Sequence, residues 1–187
     1  MDRLAIEVKH DLAREATQFE RIARRWGDGP PEATTSWEVD AKTQLTHASG
    51  ELGCYSIAFI DLNAKTAWIH PQTENDGAIG FDHGRAEERR QALQQARTSG
   101  GPVVSATTRM HVPGSGEEKG LVIYTPVIRS GALAGYLAAE FGYRSFFHAI
   151  ATTRLKLSED YQIAIAVGGD TFFSSVAEGS ARNEKLT

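Results

Sequence analysis

Apolar residues recur every three or four positions from Leu4 to Trp26, at Leu4, Val8, Leu12, Ala16, Phe19, Ile22, Ala23 and Trp26. That spacing marks one stripe of a long α-helix, with Glu7, Lys9, Arg14, Glu15, Arg21 and Arg25 largely off it. Gly27-Asp28-Gly29-Pro30-Pro31 ends the helix. Thr35-Ser36-Trp37-Glu38 has the pattern of a capping box, which predicts a second helix to about Ala48, closed by Ser49-Gly50. The period then changes. Tyr55 to Ile60 and Thr66 to His70 read as strands joined by a turn at Asp61 to Lys65. His70 to Gly84 has little periodicity, and a long loop inside a compact domain is usually functional or mobile. Arg85 to Ser99 is predicted helical, stopped by Gly100-Gly101-Pro102. Val103 to Val112 is strand-like, and a polar connection runs from Pro113 to Lys119.

The chain is organised around Gly120 to Phe141, two strands joined at Ser130-Gly131, where Gly supplies a positive φ. Ala134, Gly135, Ala138 and Ala139 are small, leaving room above the sheet for a packed helix or a ligand. Pro126 inside the first run implies a strand end, an edge or a bulge. Arg144 to Leu157 is expected to be helical, and Tyr161 to Val167 with Thr171 to Ser175 to form a last hairpin. The expected fold is α/β in the α+β sense. It is a PAS-like (or Cache-like) antiparallel five-stranded sheet with a long N-terminal helix, followed by a small C-terminal hairpin. We divide it at 1–157, a sensor domain, and 158–187, a C-terminal hairpin or the start of a membrane-proximal module.

Composition narrows the function classes. The chain has 187 residues with a net charge of −4, so nothing in it advertises nucleic-acid binding or an anionic membrane surface. The single cysteine, Cys54, rules out an internal disulfide and a Cys-rich zinc site. No apolar run approaches the roughly 18–20 residues of a membrane span. The uncapped first helix and the chain end soon after a strand suggest a piece of a longer protein.

With these residues in view the chain resembles the CHASE family, extracellular sensing domains of histidine kinases and nucleotide cyclases. The resemblance is carried by Trp68-Ile69-His70-Pro71, Asn75, Gly80-Phe81-Asp82, Arg89 with Ala92-Leu93 and Ala96, Gly120 to Tyr124 with Pro126, and Gly135 with Phe141. It spans roughly Ala41 to Phe147. It implies a periplasmic or extracellular domain held between membrane-spanning helices, which binds a small molecule and passes a conformational change to a cytoplasmic output. The connection after Pro126 is shorter than the family pattern, and the region after Leu157 reads as the beginning of a further module.

The candidate chemistry is binding rather than catalysis. Gly168-Gly169-Asp170-Thr171-Phe172 is one letter from a cyclase signature, but Thr171 replaces an acid and too little chain follows for a catalytic domain. It reads as a β-turn. His70, Glu74, Asp76, Asp82 and His83 crowd one loop without matching a metal-binding spacing, so we expect no metal and no cofactor. No G-x-S-x-G or triad pattern occurs, and no enzyme activity is expected. A ligand pocket between sheet and crossover helix would be lined by Trp68, Tyr124 and Tyr136 as aromatic lids. Arg85, Arg89 and Arg109 would serve as cationic anchors, with Asp82 beside them. Arg85 and Arg89 share a helical face, and a guanidinium suits bidentate capture of a carboxylate or phosphate. The first helix is expected to pair with its copy in a homodimer. The alternative reading is an interaction or dimerisation module whose cavity its own side chains fill.

Overall fold

The structure is a computed structural model that describes residues 2–29, 34–47, 52–112, 116–154, 164–167 and 169–174. Helices α1 (Asp2–Asp28) and α2 (Thr34–His47) are followed by strands β1 (Cys54–Ile60) and β2 (Thr66–His70). The crossover helix α3 (Glu87–Ser99) leads to β3 (Val103–Val104), β4 (Thr108–Val112), β5 (Gly116–Arg129) and β6 (Ala132–Gly142). Helix α4 (Tyr143–Ala149) runs into a π-turn at Ile150–Arg154, and β7 (Ala164–Val167) pairs with β8 (Asp170–Ser174) in a separate two-stranded sheet. Residues 48–50, proposed to close α2, lie outside the described residues. Helix α2 starts at Thr34, so the proposed cap Thr35 is inside it.

The main sheet is antiparallel in the order β2-β1-β6-β5-β3, with β4 continuing the β3 edge along β5. The run 103–112, expected as one strand, is interrupted at Ser105. There the Ser105 hydroxyl accepts the Val122 N–H at 3.0 Å and donates to the Ala106 carbonyl at 2.8 Å. The side chain replaces a ladder bond, and the register shifts by one residue, from Val104↔Ile123 to Thr108↔Gly120. Five strand positions thus hold six strands. Pro126 pairs with Tyr136 beyond the end of β3, where β5 has become an edge and a missing N–H costs no ladder bond. The central hairpin turns at Ser130 (φ 51) and Gly131 (φ 79), as the Ser-Gly pair predicts.

Strand alternation gives the sheet two different faces. Ile57, Leu121, Ile123, Val127, Leu137, Ala139 and Phe141 point to α1 and α2, where they meet Phe19, Ile22, Trp26 and Trp37. Trp26 stacks on Trp37 at 4.8 Å, and Trp68 meets both edge-on at 5.5 and 5.9 Å. Arg25 reaches Asp40 through Nη2 at 2.7 Å and Nε at 3.2 Å, and Trp26 Nε1–H donates to the same carboxylate at 3.2 Å, fastening α1 to α2. The buried line of α1 differs from its apolar stripe. Asp11 and Glu15 are buried while Leu4, Val8 and Leu12 are only partly so, and Glu15, read as off the stripe, accepts from Gln44 Nε2 of α2 at 3.3 Å. The other face carries Ala58, Ile60, Val122, Tyr124, Tyr136 and Ala138, covered by Ala92, Leu93 and Ala96 of α3. Helix α3 ends where Gly100 enters the left-handed region (φ 70) and its N–H bonds the Ala96 carbonyl.

The last turn of α1 lies directly on β5. Arg129 donates to the Trp26 carbonyl at 3.1 Å, and a Cβ on Gly27 would overlap the Ile128 carbonyl. Backbone on one side and a helix turn on the other leave little room to relax. Gly27→Ala is expected to lower unfolding free energy by about 1–3 kcal/mol, as overpacking does. Urea unfolding followed by tryptophan fluorescence measures it, since the tryptophan cluster adjoins this contact.

Candidate functional site

On the α3 face the sheet is not fully covered. The segment between β2 and α3, the β4–β5 hairpin and α3 enclose a cavity of about 460 Å³. Ala58, Ile69, Ala78, Phe81 and Met110 supply its apolar wall. Arg89, Glu140, His83 and Thr66 form its polar base, and Glu74, Arg109 and Glu117 also line it. Ala58 is small enough to leave this space above β1, and α3 supplies a charged group in place of an apolar one. Arg89 falls on the buried side of α3 with Ala92, Leu93 and Ala96, because residues three, four and seven apart share a helix face. Glu140 falls on the same side of β6 as Ala138 and Tyr136, by strand alternation.

These two side chains form a buried ion pair. Arg89 Nη1 lies 2.8 Å from Glu140 Oε1, with side-chain exposures of 2% and 15%. Removing both charges from water is costly, so the pair persists only if its remaining hydrogen-bonding capacity is satisfied. It is. Tyr55 and Ser56 hydroxyls donate to Glu140 Oε2 at 2.9 and 3.1 Å. Arg89 Nε donates to Thr108 Oγ1 at 3.3 Å and Nη2 to the Arg109 carbonyl at 3.3 Å. The guanidinium also sits over the Phe81 ring, 5.4 Å from its centroid. Burial by itself would raise the Glu140 carboxyl, but the Arg89 charge together with the hydrogen bonds from Arg89 and Tyr55 outweighs it and holds the group below the ordinary carboxylate range. Burial likewise works against the Arg89 cation, and Glu140 more than compensates, so its pKa is raised.

His83 completes the network. Its Nδ1 is 2.7 Å from the Tyr124 hydroxyl and 3.1 Å from Arg89 Nη1, and its Nε2 is 2.9 Å from Thr66 Oγ1. A guanidinium only donates, so Nδ1 must carry a lone pair and Nε2 the proton, which goes to Thr66. Burial, then the neighbouring Arg89 charge, push the imidazole down to about 4, and it is neutral at pH 7. Burial pushes the Tyr124 phenol up, keeping it a neutral donor.

The sequence-derived candidates separate into distinct places. Arg89 and Arg109 line the cavity, and Tyr124 meets the network beneath it through its hydroxyl. Arg89, expected as a cationic anchor, has most of its donors engaged by the protein. Arg85 is 86% exposed and pairs with Asp82 at 3.6 Å, while Asp82 also accepts the Gly84 N–H at 2.9 Å. Both face a neighbouring groove rather than the cavity. Trp68 lies on the opposite face of the sheet, inside the tryptophan cluster. Tyr136 is buried on the cavity face but away from the cavity, near Arg97 at the far end of α3. Glu140, Thr66, Thr108, Tyr55 and Ser56 escaped sequence reasoning. Glu140 had a legible signal, as the one charge in the apolar run Ala132 to Phe141. The hydroxyls had none, being ordinary strand residues until the register places them.

Breaking this pair from one side leaves a buried charge. Arg89→Met is expected to cost about 3–5 kcal/mol of unfolding free energy. In Arg89→Met/Glu140→Leu at least half of that loss should return, because no charge is stranded. A double-mutant cycle by urea unfolding reads the coupling directly.

Comparison with known proteins gives this geometry a context. No curated protein matches the chain in sequence. An extracellular ligand-binding receptor from Desulfohalobium retbaense superposes with a TM-score of 0.67 at 14% identity, over 92% of this chain and 30% of that one. The ligand-binding domain of the Pseudomonas fluorescens chemoreceptor CtaA, solved with L-alanine, gives 0.58 at 13% identity, over 91% of this chain and 67% of that one. The Pseudomonas aeruginosa amino-acid chemoreceptor PctC domain, solved with GABA, gives 0.55 at 16% identity, over 92% and 71%. At such identities the likeness establishes a shared fold, and the chain spans less than a third of the first of these receptors. The family model described as the CHASE domain matches residues 61–174, from the β1–β2 turn through the cavity network to the end of β8. With more than half its length matched, the chain belongs to the CHASE domain family, the extracellular sensory domains of receptors.

Proposed function

We propose that the cavity beneath α3 is the sensing site and that it takes a small amphoteric molecule of amino-acid type. The observation that carries this reading is the arrangement of charges. The Arg89–Glu140 pair neutralises itself at the base, whereas the Arg109, Glu74 and Glu117 side chains make no ion pair or hydrogen bond among the described residues. A cationic and two anionic groups, together with an apolar wall, complement a ligand bearing both an ammonium and a carboxylate on a short apolar frame. Related folds solved with L-alanine and GABA support the same class. A cavity of about 460 Å³ is also in the range of ligand sites of roughly 300–1,000 Å³. An interaction module would have filled it with its own side chains.

The wider assembly follows from the same reading. The domain sits on the periplasmic side of a membrane-anchored histidine kinase or diguanylate cyclase and pairs with its copy along α1. We place residues 158–187 as a C-terminal hairpin or the start of a membrane-proximal module; β7 and β8 pair in a sheet of their own, with Phe172 packed on the main core. Ligand binding shifts the population between two arrangements of the β2–α3 segment, the β4–β5 hairpin and α1.

Thermal unfolding against L-amino acids, GABA, dicarboxylates and simple amines tests the site. An amphoteric ligand at a hundred times its Kd adds about 2.7 kcal/mol, or roughly 5–10 °C in Tm for a chain of this size. Arg109→Ala is expected to weaken binding by about 10-fold or more, as for loss of a charged hydrogen bond, with no loss of unliganded stability. A full panel without a shift, or Arg109→Ala with unchanged affinity, contradicts the assignment.

A further inference from the structure

The segment between β2 and α3 closes one wall of the cavity, and it is fastened to the rest of the protein at both backbone and side-chain level. Gly80 N–H donates to the Thr66 carbonyl, Thr66 N–H to Phe81 and His83 N–H to Ala64, at 2.8, 3.0 and 2.8 Å. The side-chain fastening is His83, buried to 3% exposure between three elements. Thr66 of β2 meets its Nε2, Tyr124 of β5 and Arg89 of α3 meet its Nδ1, and Glu140 of β6 stands behind Arg89. From β4, Arg109 lines the same cavity, and its backbone carbonyl accepts from Arg89 Nη2. On its own segment, Asp82 is engaged by the Gly84 N–H and Arg85, and the Phe81 ring packs edge-on at 5.0 Å.

This arrangement is hostile to a second proton. Nε2–H already points at Thr66. The Tyr124 hydroxyl at 2.7 Å could turn to accept from a protonated Nδ1, but that nitrogen would then face the Arg89 guanidinium, which can only donate, at 3.1 Å. Protonating Nδ1 sets one cation against another in a buried space. Glu140, the carboxylate within the network, is already paired with Arg89, and Asp82 is engaged by Arg85 and the Gly84 N–H. Relief comes when the ring leaves, and the ring is carried by the segment that walls the cavity.

We propose that His83 is a proton-operated latch. With its ring neutral the β2–α3 segment is held over the cavity, and protonation of the ring releases the segment and opens the cavity wall. The latch is a property of the unliganded protein. It bears on sensing only through the proposed use of the cavity.

The sign follows from linkage. Burial and Arg89 push His83 from 6.5 down to about 4 when latched, whereas an open segment exposes an ordinary imidazole. The open form therefore binds more protons between those values. Latching is fullest above about pH 6.5 and weakens as pH falls towards 4, by about 10–100-fold at pH 4.5. Glu140, held below its ordinary range, contributes little above that pH.

Two measurements on the wild-type domain test this without any ligand. Side-chain ¹⁵N spectra should show His83 as the Nε2–H tautomer at pH 7, with a titration below pH 5. Hydrogen exchange, corrected for the intrinsic pH effect, should show the Gly80, Phe81 and His83 amides opening about 10–100-fold more at pH 4.5 than at pH 7, with Ile123 and Leu137 changing far less. His83→Gln should remove the pH dependence of that opening. A His83 ring titrating near 6.5, or segment exchange that does not follow the ring, overturns the latch. Because neither readout needs a ligand, a silent amino-acid panel would refute the ligand class and leave the latch standing, and the converse also holds.

Discussion

A guanidinium and a carboxylate held out of water by the same sheet constrain everything on the cavity side of this domain. Arg89 on the crossover helix and Glu140 on the central strand are 2.8 Å apart, and neither is stable there without the other. Their five partners come from three places: Tyr55 and Ser56 on β1, Thr108 and the Arg109 carbonyl on β4, and His83 from the segment between β2 and α3. The pair thus ties α3 to the sheet at one depth and one rotation. An apolar contact would allow either to slide by a side chain's width. A hydrogen-bonded ion pair does not, because each shift leaves a buried polar atom unmatched.

That constraint explains why the two sheet faces differ. Towards α1 and α2 the contacts are aliphatic and aromatic, closing into a cluster of Trp26, Trp37, Trp68 and Phe59. This face is filled. Towards α3, Ala58 and Ala138 leave depth above the strands, and the network occupies only the base of the space. What remains is a cavity with a hydrogen-bonded charged floor, one wall being the segment between β2 and α3, attached by a few backbone bonds and by the His83 imidazole.

The same strands carry both faces, so a change at one is felt at the other. In β6, Ala138 and Glu140 belong to the cavity side while Leu137, Ala139 and Phe141 pack under α1. Helix α1 rests on β5 through Gly27 and the Arg129 contact to Trp26. Packed cores transmit displacement poorly by deformation and better by switching between arrangements. A route from cavity to α1 therefore lies across a single layer of strands.

The sequence alone was enough for the element order, the central hairpin, the breaks at Gly100 and at Ser130-Gly131, and the family resemblance. These depend on local periodicity and on backbone conformations that few residue types allow. For Pro126 it left a strand end, an edge or a bulge open, and the pairing of β5 gives the edge. The interrupted β3–β4 edge was not legible, because it depends on the Ser105 hydroxyl meeting the Val122 N–H, which requires β5 to be alongside. Nor was the burial of Asp11 and Glu15 on α1, since a helix presents an apolar stripe whatever surface it is later laid upon. The site shows the same limit most clearly. Arg89 was visible as a candidate, and Arg109 with it, but Trp68 was assigned a place beside them although strand alternation puts it on the other face. Thr66 and the orientation of His83 came from tertiary structure alone, and Glu140, although marked as the one charge in its apolar run, met its partner only there. A hydrogen-bond network joins residues far apart in the chain, and what each side chain does there is set by its neighbours in space.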